Sequence, residues 1–361
     1  MESPPLLTIR HEQVLQATVR HYIATAEPVG SRAIVQEYDL KVSPATVRNT
    51  MGWLEKYGLL YQPHTSAGRV PSDFGYRLYV DRLMSPSESL AQRVDALLSE
   101  ELGWVGWSLE AILKEASQIL SQVSGYLALV TVPQVSAALI RHIQLVHVDQ
   151  SQLLLIVLLD SLTTQSVVLQ LPGETDLAAG DAAWGREMEI LSNFLTHHLR
   201  GRPLGDVANL DWSSLDADFQ SYGATLCQAL MDLAQRSRAT GSTQLVVSGL
   251  AEVLRQPEFA DSQRIQAIVR LLEEEQAQLW PLFFEAPPCR THLSPTSARV
   301  WIGSENPIEP MQGCALVVSN YTRQETSVGS VGVLGPTRMV YENAVAVVQA
   351  TADYLSNALA Q

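Results

Sequence analysis

The serine–proline pair at Ser43-Pro44 constrains this chain more than any other feature, because together the two residues fix where a helix must begin. Serine at an N-cap accepts a hydrogen bond from an otherwise orphaned backbone N–H. Proline at the first helical position gives up an N–H that has no intrahelical acceptor anyway. The helix that follows is expected to run to about Tyr57, where Gly58 supplies a natural stop. Within it Val47, Met51 and Leu54 fall at i, i+4 and i+7, so they share one face and belong in a core.

The neighbouring residues place that helix third in a compact unit. Residues 8–25 carry Val14, Leu15, Thr18, Val19, Tyr22 and Ile23 at helical spacing behind a possible Thr8 cap, and Glu27-Pro28-Val29-Gly30 breaks the helix. Ser31 caps a short second helix over Arg32–Tyr38. After Gly58, Leu59–His64 and Arg69–Pro71 read as extended pieces joined by Thr65-Ser66-Ala67-Gly68, a hairpin signal with a glycine-bearing turn. A fourth helix over about Asp73–Met84 closes the unit. That order of elements is the order of a winged helix-turn-helix.

If Val47, Met51 and Leu54 face inward, the opposite face of the third helix presents Ala45, Thr46, Arg48, Asn49, Gly52 and Trp53. Arg and Asn are the side chains that pair bidentately with guanine and adenine in the major groove. Small residues at Ala45 and Thr46 let the first turn approach the DNA backbone and thymine methyls, and a helix N-terminus favours phosphate. Ser43 and Arg32 are placed to touch the backbone on either side. His64 and Arg69 flank the wing, where they reach phosphate or the adjacent minor groove, and Thr65 and Ser66 add hydroxyl donors. Any one of these residues alone would read as a solvated surface group. As an ordered set on a capped third helix followed by a wing, they point to DNA. Trp53, at the edge of the face, is left open between reading DNA and packing on a neighbour.

The charge of the chain is consistent with a DNA-binding head and does not prove one. The 361 residues carry a net charge of −14. Residues 1–84 hold nine Lys/Arg and eight Asp/Glu, a net of +1, which leaves −15 for everything beyond. Only the first segment can approach nucleic acid without strong repulsion.

Beyond the linker-like Ser85-Pro86-Ser87-Glu88-Ser89, residues 90–124 read as helical. Strands are expected at Tyr126–Val132, Leu139–Val148, Leu153–Leu159 and Ser166–Leu171. Residues 178–240 return to helix, including Met188–Leu199 and Phe219–Ala234. A possible strand, Ser242–Ser248, precedes a long acidic helical stretch over Pro257–Phe284. Arg299–Gly303, Cys314–Tyr321 and Ser327–Leu334 read as strands before a last helix, Tyr341–Leu359. Strands on both sides of a helical interval are the trace of an α+β domain interrupted by an insertion.

Three cysteines, Cys227, Cys289 and Cys314, have no CxxC spacing and no His cluster beside them, which argues against a disulfide framework or a structural zinc site. No secretory signal opens the chain, and the apolar run Leu153–Leu159 is too short to span a bilayer, so a cytoplasmic protein without membrane contact is expected. No catalytic constellation is found. His197-His198 lacks an acid partner at triad or metal spacing, Ser304-Glu305-Asn306 reads as a turn, and no helix N-terminus follows Gly329, Gly332 and Gly335 as a phosphate loop requires. No cofactor or metal is expected.

Residues 25–33 (TAEPVGSRA), 43–51 (SPATVRNTM) and 63–82 (PHTSAGRVPSDFGYRLYVDR) resemble the HrcA family of heat-inducible transcription repressors. So do Pro257-Glu258-Phe259, Trp301–Asn306 and the segment Gly332–Met339. The resemblance implies an α+β protein with three parts: a winged-helix head over 1–85, a discontinuous GAF-like domain over 86–175 and 242–361, and an inserted, mainly helical dimerisation domain over 176–241. It implies repression of chaperone operons through a CIRCE-type inverted repeat bound as a homodimer, with the GroE chaperonin as a further partner. Recognition geometry independently favours a dimer, and Ile190, Phe194 and Leu195 are candidates for its interface, with a helical cap on the domain's own sheet as the other reading of the same residues. The main alternative is a small-molecule-sensing regulator with a ligand in the GAF-like domain. Two departures stand out: Ala26 where glycine is expected, which should only stiffen the turn, and Val340 where an acidic residue is expected.

Overall fold

A computed structural model describes residues 7–38, 40–65, 67–102, 108–133, 139–149, 152–159, 164–170, 181–203, 225–233, 245–259, 262–284, 298–323 and 326–360. The fold is α+β and separates into two compact units. One comprises Met1–Gly106, Ile112–Thr131 and Leu245–Gln361, the other Trp107–Ala111 and Val132–Gln244.

The first unit opens with α1 (Ile9–Thr25), α2 (Ser31–Glu37) and α3 (Pro44–Lys56). A two-stranded antiparallel pair follows, β1 (Leu60–Tyr61) against β2 (Val70–Pro71), and then α4 (Asp73–Leu78), which runs into a π-helical turn, Tyr79–Leu83. Polar caps set the starts of α1, α3 and α4: Thr8 and His11 form a capping box on α1, Ser43 accepts from the Thr46 N–H, and Ser72 accepts from the Gly75 N–H. By contrast α2 starts after Gly30 with no side-chain cap, so Ser31 is its first residue and not its cap. The core between them buries Val14, Leu15, Val19, Ile34, Val47, Met51, Leu54, Leu59 and Tyr76. At the end of α1, Ala26 has φ 56° and lies in the left-handed region. A Cβ is disfavoured there, so alanine strains this turn as well as stiffening it.

The rest of the first unit is built on a five-stranded antiparallel sheet. Its strands are β3 (Leu127–Thr131), β7 (Leu245–Ser248), β8 (Arg299–Ile302), β9 (Cys314–Arg323) and β10 (Thr326–Pro336), in the order β7-β3-β10-β9-β8. Strand alternation divides its side chains. Leu127, Leu129, Leu316, Val318 and Leu334 form one core with Phe259, Ile268, Leu271 and Phe283. Those residues come from α10 (Ser262–Glu273), α11 (Trp280–Phe284) and the segment that follows α9 (Leu250–Leu254). The alternate residues, Ala128, Val317 and Val333, are left for α12 (Tyr341–Ala360), which packs on β9 and β10 and against α5 (Glu88–Glu101). The long helical stretch expected over Pro257–Phe284 is divided into short helical pieces. Pro281 has no N–H to continue a helix and sits in the first turn of α11, where that N–H is not needed.

In the second unit β4 (Ile140–Asp149), β5 (Gln152–Leu159) and β6 (Thr164–Gln170) form a separate three-stranded meander. These strands, which the resemblance placed with β3 in one GAF-like domain, pair among themselves. One face carries Ile143, Leu145, Leu153, Leu155 and Val157, which pack with Met188, Leu191 and Leu195 of α7 (Asp181–Leu199) and Leu226 and Leu230 of α8 (225–233). On the other face Val146, Val148 and Val168 are exposed, the last two by 53% and 54%. Of the three residues considered for an interface, Leu195 belongs to this core, Phe194 packs against it, and Ile190 is 51% exposed. Within the expected helix Phe219–Ala234, residues 219–224 and Ala234 lie outside the described residues.

Candidate nucleic-acid interface

α3 positions the proposed reading residues. Its inward face buries Val47, Thr50, Met51 and Leu54, which leaves Ala45, Arg48 and Asn49 exposed on the other side. At its start, Ser43 Oγ accepts from the Thr46 N–H at 3.2 Å and shares a hydrogen bond with Thr46 Oγ1 at 2.9 Å. The two side chains hold each other in one place at the helix N-terminus, where the backbone N–H groups and the helix dipole favour an anion. An added Cβ at Gly52 would meet nothing within 4 Å, so the middle of the outer face is open.

Farther along the face the sequence left Trp53 open, and the structure packs it on its neighbours. Its ring stacks on His11 at 3.9 Å between centroids and 7° between planes, and it meets Tyr57 at 4.2 Å. The stack joins the N-terminal turn of α1 to the outer half of α3. His11 is pushed below its ordinary imidazole range, first by burial and then by the positive charge of Arg10.

The hairpin is fixed from two directions. Val29 and Arg69 exchange backbone hydrogen bonds of 2.8 and 2.9 Å, and the Arg69 guanidinium donates through Nε to Glu55 Oε2 of α3 at 3.0 Å, with Nη2 ion-paired to the same oxygen at 2.9 Å. Arg69 therefore ties the hairpin to α3, and its charge is already engaged. At the tip Gln62 Nε2 donates to the carbonyls of Thr65 and Ala67, both at 2.9 Å, leaving His64 and Thr65 exposed. Ser66 lies outside the described residues. Arg32 is exposed on α2, which packs against α3. Sequence reasoning passed over Lys41 and Lys56, exposed just before and at the end of α3. Their positive charge next to the capped helix was the signal that could have found them.

Among the described residues no group of three or more His, Cys, Asp or Glu side chains could hold a metal ion, and no helix is long and apolar enough to cross a membrane.

The chain matches the family model described as "HrcA protein C terminal domain" over residues 110–345. It is 55% identical over 361 residues to the "Heat-inducible transcription repressor HrcA" of Cyanothece sp. (strain PCC 7425 / ATCC 29141), covering 98% of each chain. Against the protein of the same name from Trichormus variabilis it is 54% identical, again covering 98% of each. A crystal structure described only as that of a hypothetical protein superposes with a TM-score of 0.64 at 22% identity, covering 98% of this chain and 99% of the other, so the fold is shared. With these matches running nearly end to end, the chain belongs to the HrcA family of heat-inducible transcription repressors.

Proposed function

We propose that this repressor reads a CIRCE-type inverted repeat as a homodimer, using the N-terminal elements as a winged helix-turn-helix. The observation that carries the reading is the pair Arg48 and Asn49, exposed side by side on a capped, proline-started third helix whose opposite face is buried. In this reading Arg48 and Asn49 contact base edges, with Ala45 and Thr46 close against the groove. Ser43, Arg32 and the hairpin residues His64, Thr65 and Ser66 meet phosphates or the minor groove, joined by Lys41 and Lys56. Arg69 acts first as the strut that aims the hairpin, because its guanidinium is paired with Glu55.

The five-stranded sheet with its covering helices is read as a GAF-like domain, and the second unit as the inserted dimerisation domain. The exposed valines Val146, Val148 and Val168 on the outer face of β4–β6 support that role better than α7, whose Leu195 is buried in the core. In the GAF-like domain Phe259, Phe283, Met311 and Trp301 pack the space beside the sheet, which supports control through folding state and the GroE chaperonin over control by a small ligand. A DNA-acting repressor of this kind works in the cytoplasm.

The test is binding of the purified chain to a labelled CIRCE-type duplex and to a half-site-scrambled duplex, with and without GroE. Selective binding that the chaperonin enhances supports the whole reading. Equal binding to both duplexes removes the operator assignment.

A further inference from the structure

Two of the sequence blocks that resemble the family, residues 63–82 and Trp301–Asn306, meet each other in the first unit, beside the start of α12. α4 and the π-helical turn after it carry Asp73, Arg77 and Tyr79, the turn after β8 carries Gly303, Ser304 and Glu305, and α12 opens with Tyr341 and Glu342. The Arg77 side chain is only 7% exposed. Its Nε donates to Glu305 Oε1 at 2.8 Å, Nη2 donates to the other carboxylate oxygen and to the Val300 carbonyl, and Nη1 donates to Asp81 at 3.3 Å. Asp73 Oδ2 accepts from both the N–H and the Oγ–H of Ser304, each at 2.8 Å. Tyr79 donates its hydroxyl to Glu342, which Arg20 of α1 also reaches at 3.4 Å.

These contacts are directional where an apolar contact would have served. Burial lowers the proton affinity of Arg77, and Glu305 and Asp81 more than reverse this. A buried ion pair adds little to stability over a packed apolar pair, but a forked guanidinium on a carboxylate admits one relative orientation. The turn that receives Asp73 is shaped for it: Gly303 has φ +52°, and a Cβ there would lie 2.3 Å from the Asp73 carboxylate. The connection between head and body is also taut. Gln16 Nε2 donates to the Leu83 carbonyl at 2.7 Å, and the Ser87 N–H donates to the Glu342 carbonyl at 3.1 Å, so the stretch expected as a linker is held just before its start and again at its middle.

We propose that Asp73, Arg77, Ser304 and Glu305 form a clasp that fixes the orientation of the reading helix against the body of the first unit, and that this clasp sets the half-site spacing a dimer accepts. The proposal rests on the inverted-repeat reading above. Adding one base pair between half-sites moves one of them by about 3.4 Å and turns it by about 34°, which two rigidly held heads cannot follow. Heads on a loosened clasp follow it. The four side chains are positioning residues and touch no DNA in this reading.

The test uses the full chain, the Arg77→Gln variant, and a milder pair, Asp73→Asn with Ser304→Ala, which carries the test if Arg77→Gln fails to fold. Each is titrated with a single half-site and with inverted repeats whose spacer is the natural length, one base pair longer or one shorter. The parent should lose about tenfold in affinity per altered base pair, and the variants about threefold or less, with half-site affinity unchanged. An undiminished spacing penalty in the variants overturns the proposal. So does an equal loss on the half-site and every repeat, which would mark a purely structural role. If the parent does not prefer an inverted repeat to a half-site, the operator reading has failed, and hydrogen exchange of the DNA-free proteins then judges the clasp. Faster exchange over 73–83 and 300–306 with α3 unchanged supports it. Exchange unchanged throughout, or α3 loosening together with those segments, refutes it.

Discussion

Alanine at Gly52 and alanine at Gly68 should move the stability of this chain in opposite directions and its operator affinity in the same one. At Gly52, inside α3, an added Cβ meets nothing within 4 Å, so the change only removes the backbone freedom glycine has when unfolded. That stabilises a helix interior by about 1 kcal/mol. At Gly68 the added Cβ would lie 2.4 Å from the Val29 carbonyl oxygen and 2.6 Å from that of Pro28. Both are backbone atoms that cannot rotate aside, so the hairpin must retreat by roughly 1 Å to restore ordinary contact. That retreat breaks the two Val29–Arg69 backbone hydrogen bonds of 2.8 and 2.9 Å. At about 1 kcal/mol for each bond, plus about 1–3 kcal/mol for the residual overpacking, the loss is roughly 3–5 kcal/mol. Urea unfolding followed by circular dichroism measures both stability changes. Operator titration should show both variants weakened: Gly52→Ala by a methyl pressed between α3 and the base edges, Gly68→Ala by displacement of the hairpin. A Gly52→Ala protein that gains stability and binds like the parent would show that this face of α3 does not lie against DNA. A Gly68→Ala protein with the parent's unfolding midpoint would show that the hairpin is not pinned as described.

Asn49→Ala should cost about 1–3 kcal/mol on the matched operator and much less on mismatched duplexes; equal losses on both would remove Asn49 from the base-reading set. Ala26→Gly should raise stability by about 1 kcal/mol, since φ 56° favours a residue without Cβ, and an unchanged melting temperature would count against strain at that turn. His11, held below its ordinary value near 6.5 by burial and Arg10, binds its proton more weakly folded than unfolded, so it contributes stability that is lost as pH falls below that value. His11→Phe should keep the stack on Trp53 and flatten that acid limb, and an identical pH profile for both proteins would assign the acid loss elsewhere.

Local signals were legible in the sequence, and distant pairings were not. Ser43-Pro44 fixed the start of α3 because a cap and a first-turn proline act within one turn, and Val47, Met51 and Leu54 are buried as their spacing required. β9 and β10 were readable because adjacent antiparallel strands need only each other. The separation of β4–β6 from β3 was not readable: β3 is an unbroken apolar run while β4 and β6 alternate with polar residues, but what distinguishes β3 is pairing with β7 and with β10, the latter about two hundred residues away. Arg69 looked like a free wing arginine because its partner, Glu55, is 14 residues back and is met only when the hairpin folds onto α3. The bond between Arg77 and Glu305 spans 228 residues and joins side chains on elements with no shared pattern. Ala26 was misjudged for a different reason, since a left-handed C-cap on alanine breaks the rule by which such positions are recognised.

The same ion pairs limit how strongly this acidic chain can hold DNA through charge alone. Of the nine Lys/Arg in residues 1–84, Arg20, Arg69 and Arg77 are paired with Glu342, Glu55 and Glu305. Arg48 is assigned to bases, Arg10 sits in the first turn of α1, and Arg82 sits in the turn after α4. That leaves Arg32, Lys41 and Lys56 as exposed cations flanking α3. Neutralising about three phosphates per head, or about six per dimer, gives a plot of log affinity against log salt with a slope of about −5. A slope steeper than about −8 would mean that Arg69 or Arg77 leaves its carboxylate on binding, or that the acidic remainder supplies contacts its −15 charge opposes. A slope shallower than about −3 would place the DNA on some other face. On the proposed reading, with so little charge to draw on, affinity comes from base contacts made twice and held at a fixed separation, and the orientation of the heads then matters as much as the residues they present.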